Sequence, residues 1–394
     1  MKLFKIATLL GLSASCVFAG KIMTWVPSYA IAESDVALKS GLTPGPQDGI
    51  THLALQFWST NPKNDGSIYL STNGGLTATE NDVTNFVNWG HANKIRVMLC
   101  IYNGSAGWNW NEVKPIIDNA TKRTALVSNL MATVRKFNMD GVEVDFEGNG
   151  SGTTDMANYV LFMKQLVDST HAIKKEATTV SFHGNKYNQP NVSWWPNMLT
   201  AGVDGITSMG YNELGINATG SSGVSFKYSA QKAQASDPKR LLLGMPAELD
   251  SWAGNTAAEQ IDWVVNDGSV GIGFWDATFT ASHWQSTTNW AKLKIIKDKY
   301  LIEHPYNSVA TLNKNGTAKS FAISSQANGF SIDASAGQYN IEYIDTKGSV
   351  QKTQNVHHLG GSMNLNHPQI QSGMYLIHVQ SNLGESQFLK TIVR

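Results

Sequence analysis

Short apolar runs alternate with longer helix-compatible stretches from residue 21 to about residue 303. The longer stretches, such as 123–138 and 157–175, carry apolar residues every three or four positions, which is typical of amphipathic helices. The short runs lie at 21–26, 50–58, 95–102, 141–147, 178–184, 204–211, 240–246 and 270–275. Eight strands alternating with helices predict an α/β protein with a (β/α)8 TIM barrel. A doubly wound sheet is the alternative, but no Gly-rich phosphate loop follows the first run.

The pattern changes after about His304. Residues 305–394 contain short alternating strands separated by Gly, Asn and Ser turns, with no amphipathic pattern between them. We therefore expect a small all-β, sandwich-like domain over 304–394 that follows a barrel domain over 20–303.

Residues 1–19 have the composition of an export signal. Two lysines precede the apolar segment 6–12, and Val17-Phe18-Ala19 forms a candidate cleavage site before Gly20. The apolar segment is too short to span a bilayer, so we expect a secreted protein, extracellular or at the cell surface, without a membrane span. A lipid anchor at Cys16 is the alternative, but residues 13–15 lack the Leu usually found before a lipidated Cys.

Charge and composition narrow the class of function. Lys plus Arg and Asp plus Glu both total 30, which argues against a nucleic-acid binder with a basic surface. Apolar residues make up 42% of the chain, enough for a sizeable core. Some of the 12 Trp, 12 Tyr and 14 Phe residues are candidates for flat ligand platforms. Cleavage after Ala19 would leave Cys100 as the single cysteine, so no intrachain disulfide is expected.

Three carboxylates alternate with apolar residues in the run 141–147. Because side chains on a strand alternate between faces, Glu143, Asp145 and Glu147 share one face, at steps of roughly 6.6 Å. In a barrel the apolar face packs against helices, so the acids point into the lumen. An exposed acidic face on an edge strand is the alternative, but the helical stretches on both sides indicate a central parallel strand.

Glu147 is the candidate general acid because it ends the run, and barrel enzymes gather their chemistry at the C-terminal ends of the strands. Repulsion from Asp145 predicts a shared proton or a raised pKa for the outer acid. A metal site is the rival interpretation. No pair of histidines with metal-ligand spacing lies near the run in the sequence, and three carboxylates on one strand do not easily converge on one ion. We therefore expect no metal and no other cofactor.

The stretch Asp140–Glu147 resembles the DGxDxDxE signature of glycoside hydrolase family 18, the family of chitinases and endo-β-N-acetylglucosaminidases. Other features of the family recur in order. Residues 107–147 are similar to its passage from the third strand to the fourth, and Met209-Gly-Tyr-Asn is similar to its MxYD or MxYN motif. Trp275 stands where the family has a Trp on the eighth strand. The resemblance covers residues 21 to about 300 and implies the TIM-barrel fold.

The resemblance also implies roles. Glu147 would protonate the glycosidic oxygen, and the substrate's own 2-acetamido group would be the nucleophile, with an oxazolinium intermediate and net retention. Asp145 would orient the acetamido N–H and stabilise the charge on the ring, Tyr211 would hydrogen-bond the acetamido group, and Trp275 would form the floor beneath the sugar. Further implied residues are Met209 and Asn212 in the pocket, Asp140 as structural support, and Trp108 with Trp110 as sugar platforms, for which loop packing is the alternative.

Two positions depart from the family pattern. Glu143 replaces the inner Asp that normally exchanges hydrogen bonds with the Asp before the catalytic Glu. Its extra methylene can keep the carboxylate within reach or crowd the lumen, and Glu143 stays among the catalytic candidates. The third strand carries residues 101–105, Ile-Tyr-Asn-Gly-Ser, instead of a clean SxGG. Neither departure removes Glu147, the residue that lectin-like members typically lose, so the resemblance favours an enzyme.

The end of the chain carries a second resemblance. Residues 372–394 resemble the end of type IX secretion sorting domains, in which a G-x-Y-x-x-x-V strand precedes a Lys-rich strand. Secretion machinery would then be a partner of this domain. A carbohydrate-binding or simply stabilising β-domain is the alternative.

These features together predict a secreted, endo-acting, retaining chitinase that cleaves β-1,4 linkages between N-acetylglucosamine units. Its partner would be chitin or an N-acetylglucosamine-containing oligosaccharide. The alternatives are an endo-β-N-acetylglucosaminidase acting on the chitobiose core of N-glycans and a non-catalytic chitin-binding lectin.

Overall fold

Eight parallel strands close into a barrel in the N-terminal part of the chain. The structure, a computed structural model, describes residues 20–103, 109–148, 153–181, 194–219, 226–306, 321–326, 328–334, 337–346, 349–358, 361–381 and 386–393. The chain divides into two units, residues 1–306 and 307–394. The described strands of the first unit are β1 (Ile22–Pro27), β2 (His52–Thr60), β3 (Ile68–Leu70), β4 (Thr72–Asn73), β5 (Leu76–Thr77), β6 (Arg96–Tyr102), β7 (Gly141–Asp145), β8 (Glu176–Ser181), β9 (Gly205–Ser208), β10 (Leu241–Pro246), β11 (Ser251–Trp252), β12 (Asn255–Thr256) and β13 (Gly271–Trp275).

The barrel is closed by β1, which pairs in parallel with β2 on one side and with β13 on the other. Around the barrel the order is β1, β2, β6, β7, β8, β9, β10 and β13, and β3 adds an antiparallel edge to β2. Each of the eight apolar runs in the sequence overlaps one barrel strand, so the predicted TIM barrel is confirmed.

Helices connect and cover the strands. They are α1 (Ile31–Leu38), α2 (Pro46–Gly49), α3 (Glu80–Ala92), α4 (Lys114–Ile117), α5 (Ala120–Lys136), α6 (Thr153–His171), α7 (Trp194–Thr200), α8 (Tyr228–Gln234), α9 (Ala257–Asp267) and α10 (Thr287–Glu303). Local sequence explains several helix ends. Thr79 and Thr256 cap α3 and α9 in capping boxes, and Gly268 ends α9 in the left-handed conformation that glycine adopts without a steric penalty.

The two faces of the barrel strands belong to different apolar clusters. Val142, Val144 and Phe146 on β7 and just after it pack in the large cluster formed with the surrounding helices. A separate cluster fills the lumen, with members such as Trp25 and Cys100. The strand alternation therefore directs the carboxylates of β7 inward, as the sequence pattern predicts.

The N-terminal end of the barrel is closed by an ion-pair network around Glu176, the first residue of β8. Its carboxylate lies 3.2 Å from Lys21 Nζ, 3.0 Å from Arg96 Nε and 3.3 Å from His52 Nε2. Burial alone would raise the pKa of Glu176, but the charges of these partners lower it well below its usual range. This end of the barrel therefore holds a paired, ionised carboxylate.

The C-terminal unit consists of strands in its described residues: β14 (Phe321–Gln326), β15 (Gly329–Ala334), β16 (Gly337–Asp345), β17 (Val350–His358), β18 (Gly361–Asn366), β19 (Gly373–Ser381) and β20 (Ser386–Val393). One antiparallel sheet has the order β14-β15-β18 and the other β17-β16-β19-β20. Both contribute to one apolar core, for example through Ile332, Ile341 and Ile377. The predicted all-β C-terminal domain is confirmed.

The predicted signal sequence lies outside the described residues, and the predicted domain limits and the secretion signal stay predictions. Among the described helices, none combines the length and the apolar character needed to cross a membrane.

Candidate active site

The three predicted carboxylates follow β7 from its middle, at Glu143, to its C-terminal end, at Asp145, and just beyond it, at Glu147. The preceding helix α5 ends at Lys136, and Asn138 turns the chain with φ of +52°, in the left-handed region that Asn tolerates. Gly141 then starts β7, where a Cβ atom would lie 2.2 Å from the main-chain oxygen of Glu176. Glycine is required there because the two neighbouring backbones approach so closely.

A cavity of about 260 Å³ opens at this end of the lumen. Its lining residues are Trp25, Asp145, Glu147, Val180, Met209, Tyr211 and Trp275. A larger cavity, of about 720 Å³, is lined by α1 and by residues 278–290 and shares no lining residue with it. The smaller cavity joins two carboxyl groups with an aromatic wall, so it is the candidate active site.

Glu147 is held through its backbone. Asn103, fully buried just beyond β6, accepts a hydrogen bond from Glu147 N–H at 2.8 Å and donates its Nδ2 to the Glu147 carbonyl oxygen, also at 2.8 Å. A second bond from Nδ2, to Asn109 O at 3.2 Å, ties the loop after β6 to the same side chain. These bonds fix the position from which the Glu147 side chain enters the cavity. They involve only the backbone of Glu147 and do not use its carboxyl group.

Asp145 and Glu143 have different partners on the strands beside them. The Nε2 of Gln56, on β2, donates to Asp145 Oδ2 at 2.5 Å. The hydroxyl of Thr178, on β8, donates a short hydrogen bond to Glu143 Oε2. Glu143 and Gln56 are fully buried, and Asp145 is 2% exposed.

Burial raises the pKa of all three acids. For Glu147 the negative charge of neighbouring Asp145 adds to burial and raises the pKa well above its usual range. Burial also raises the pKa of Asp145, to about 6, although hydrogen bonds from Gln56 and Glu147 oppose this shift. Glu143 is raised well above its usual range by burial, against the hydrogen bond from Thr178. The raised pKa of Glu147 favours its protonated form, which is the form that a general acid requires.

Three predicted pocket residues form the opposite wall. The rings of Tyr211 and Trp275 lie 6.3 Å apart, and Trp275 lies 6.4 Å from Trp25. Burial raises the pKa of Tyr211, and the charges of the nearby acids add to the shift, so the phenol keeps its proton and can donate. Met209 is buried beside these rings. The wall is thus made of tilted aromatic rings, is largely apolar and carries one hydroxyl donor.

The other predicted residues lie elsewhere. Asn212 is exposed and is not among the residues that line the cavity. Asp140 lies just before the opposite end of β7. It accepts from His91 Nε2 at 2.9 Å on α3, from Val97 N–H at 2.9 Å on β6 and from Lys175 Nζ at 3.1 Å just before β8. Trp108 is outside the described residues, whereas Trp110 is 1% exposed and packs edge-on against Tyr159. This burial favours loop packing over a sugar platform as the role of Trp110.

The sequence interpretation missed Gln56, Asn103, Thr178 and Trp25. A signal existed for Gln56, because it is the one amide within the strongly apolar run 50–58. Asn103 and Thr178 carry no such signal, since their partners lie 44 and 35 residues away and become neighbours only when the barrel closes. Within the described part of the chain, no group of three or more His, Cys, Asp or Glu residues is arranged to hold a metal ion.

Comparison with known proteins places this geometry in context. The model of the family described as "Glycosyl hydrolases family 18" matches residues 23–364. The sequence has no match among curated proteins.

Several solved structures are similar in fold. A Group IV chitinase of Ostrinia furnacalis has a TM-score of 0.55 at 11% identity, over 70% of this chain and 99% of that one. A chitinase of Chromobacterium violaceum has a TM-score of 0.52 at 15% identity, over 71% and 99%. The Bacillus cereus spore cortex-lytic enzyme SleL has a TM-score of 0.50 at 13% identity, over 72% and 74%. At these identities the likeness concerns the fold.

Proposed function

The chain belongs to glycoside hydrolase family 18, and on that premise we propose that it is a retaining chitinase that cleaves β-1,4 linkages between N-acetylglucosamine units. The observation that carries the proposal is the pair Asp145 and Glu147, whose pKa values are raised, in a cavity walled by Trp275, Tyr211 and Trp25. An acid whose raised pKa favours the protonated form, beside an aromatic wall, suits the protonation of a sugar leaving group.

The first step of the proposed reaction uses the substrate's acetamido group. Glu147 gives its proton to the glycosidic oxygen while the acetamido carbonyl oxygen bonds to C1 and the C1–O bond breaks. Asp145 accepts the acetamido N–H and balances the positive charge that forms on the ring. Tyr211 donates its hydroxyl to the acetamido group. The product is an oxazolinium ion and a shortened chain with a free hydroxyl.

The second step restores the enzyme. A water molecule gives a proton to the Glu147 carboxylate and attacks C1 from the face that the leaving group vacated, while the bond between C1 and the acetamido oxygen breaks. The acetamido group is regenerated, and the configuration at C1 is retained. Trp275 supports the sugar from below through its apolar face, and Met209 fills the space beside it. Glu143 is not among the residues that line the cavity, and its carboxyl group accepts from Thr178 deeper in the lumen.

A product time course on N-acetylated chitin oligomers tests the proposal. We expect shorter N-acetylated oligomers with the β-configuration at the new reducing end, poor cleavage where glucosamine occupies the cleavage pocket, and strong inhibition by a thiazoline mimic of the oxazolinium ion. Release from a high-mannose glycoprotein alone would indicate the endo-β-N-acetylglucosaminidase, and binding of chitin without release would indicate a lectin. Efficient cleavage of cellulose would contradict the mechanism.

Export is a further part of the proposal. It is supported by the basic and apolar pattern of residues 1–19 and by the resemblance of residues 372–394 to secretion sorting domains. N-terminal sequencing of the protein from culture medium should begin at Gly20, and protein that keeps Met1 inside the cell would contradict export.

A further inference from the structure

Gln56 is a polar residue in an apolar strand, and its amide reaches a carboxylate of the active site. It is fully buried, and its Nε2 lies 2.5 Å from Asp145 Oδ2, although the two residues are 89 positions apart in the sequence. Their strands, β2 and β7, are not adjacent, because β6 lies between them. A buried amide that crosses a whole strand to reach one acid requires an explanation beyond local packing.

The strand register shows how this contact is possible. Gln56 is level with Cys100 on β6, and Cys100 is level with Glu143 on β7. Two strand spacings, about 9.6 Å, therefore separate Gln56 from β7. Cys100 has a small side chain, which leaves room for the longer Gln56 side chain to pass. The amide then meets Asp145, two residues further toward the C-terminal end of the barrel than Glu143.

The inner carboxyl has another partner. Glu143 Oε2 accepts the hydrogen bond from Thr178, while Glu143 Oε1 and Asp145 Oδ1 have no hydrogen-bond partner among the described residues. Gln56 thus bonds Asp145 and Thr178 bonds Glu143, while Asp145 also has a side-chain hydrogen bond with Glu147. This arrangement leaves Asp145 without a hydrogen bond to the inner acid, the partner that the family resemblance assigns to it.

We propose that Gln56 is the positioning residue of Asp145, and that it takes over from the inner carboxyl the task of holding Asp145 ionised beside Glu147. An amide suits this task because it donates its N–H at every pH, whereas a carboxyl donates only while protonated. The bond favours the charged form of Asp145, the form that accepts the acetamido N–H. The inference rests on the proposed function, since it assigns that work to Asp145.

The variant Gln56→Met tests the proposal because methionine has a similar length and lacks the amide. Without the donor the pKa of Asp145 should rise, so the acidic limb of the pH profile of kcat/KM should move to higher pH by about one unit. At pH 6 kcat should fall about fivefold while KM stays nearly constant, because the bond acts on the charge that develops during the reaction.

Two further variants separate positioning from packing. Gln260→Met removes another fully buried amide, which bonds Ile216 N–H and Trp252 O away from the acids, so it should lower stability and leave the acidic limb in place. Glu143→Gln should move the limb less than Gln56→Met does. An unmoved limb in Gln56→Met, or a larger shift in Glu143→Gln, overturns the proposal.

A readout that does not need activity completes the experiment. Carboxyl ¹³C NMR of the full chain labelled at Asp, with the Asp145 signal assigned from Asp145→Asn, gives the pKa of Asp145 directly. A higher pKa in Gln56→Met supports positioning even if the chain releases no sugar, in which case the proposed function fails alone. An unchanged pKa in an active enzyme overturns the positioning role and leaves the proposed function standing.

Discussion

The barrel holds buried or partly buried carboxylates at both ends, and their pKa values are shifted in opposite directions. At the N-terminal end, Glu176 is surrounded by Lys21 and Arg96, at 3.2 and 3.0 Å. At the C-terminal end, Asp145 and Glu147 face each other, a neutral amide and aromatic rings. The first arrangement lowers the pKa of a buried acid and the second raises it.

This difference separates stability from chemistry. A paired carboxylate keeps its charge and links residues of several strands, so its role at the N-terminal end is structural. It has no proton to donate. An acid without a cation keeps its proton at the cost of some stability and can deliver that proton to a substrate. The same residue type therefore serves two purposes within one barrel, and its neighbours decide which.

The largest expected effect is on catalysis at the C-terminal end. Glu147→Gln removes the proton donor and should lower kcat on chitin oligomers by on the order of 10³-fold, the range for loss of a general acid. Its free energy of unfolding at pH 7 should stay equal or rise, since a neutral amide replaces an acid that burial disfavours in its charged form. Oligomer release and denaturant unfolding measure the two effects. A variant that keeps nearly full activity would contradict the assignment of the acid.

At the N-terminal end the effect should be on stability. Glu176→Gln leaves Lys21 and Arg96 without their carboxylate and should lower the free energy of unfolding by about 3 kcal/mol. Activity of the folded fraction should stay close to that of the wild type, because this end shares no residue with the cavity. Guanidinium unfolding followed by circular dichroism measures the change, and a loss of activity without a loss of stability would break the contrast between the ends.

The pH dependence of these two stability changes provides the control. The folded-state pKa of Glu176 is lowered, so its stabilising contribution is present above its unfolded pKa of about 4.3 and is lost as the pH falls through the folded value. The folded-state pKa of Glu147 is raised, so its contribution is present below about 4.3 and is lost as the pH rises toward the folded value. Acidification should therefore shrink the deficit of Glu176→Gln, and the advantage of Glu147→Gln should grow as the pH rises.

The smallest effect compares two neighbouring threonines on β8. Thr178 donates into the lumen to Glu143, whereas the Thr179 hydroxyl lies 2.6 Å from the Tyr159 hydroxyl on the outer face. Thr178→Val should change kcat several-fold, and both valine variants should lose about 1–2 kcal/mol of stability through their unpaired partners. Kinetics and thermal unfolding of the two variants measure this. Equal changes of kcat in the two variants would show that the strand face on which the threonine lies does not affect catalysis.

Much of the fold and part of the site could be predicted from the sequence. Alternation along residues 141–147 predicts that Glu143 and Asp145 share the lumen face, because the two-residue period of a strand is a local property. The position of Glu147 at the end of its strand follows from the same count. The exposed position of Asn212 could not be predicted, since the chain turns away from the pocket after Tyr211 and a motif does not specify that turn.

The sequence by itself determined the barrel, the strand that carries the acids and the order of those acids along it, because hydrophobic periodicity acts over a few neighbouring residues. The tertiary structure alone decided which partner each acid has. Gln56 meets Asp145 across β6, and Thr178 meets Glu143 across one strand spacing, through contacts set by the register of strands far apart in the chain. The pKa of each acid depends on those neighbours. The protonation of the acids is therefore determined by contacts that exist only in the closed barrel.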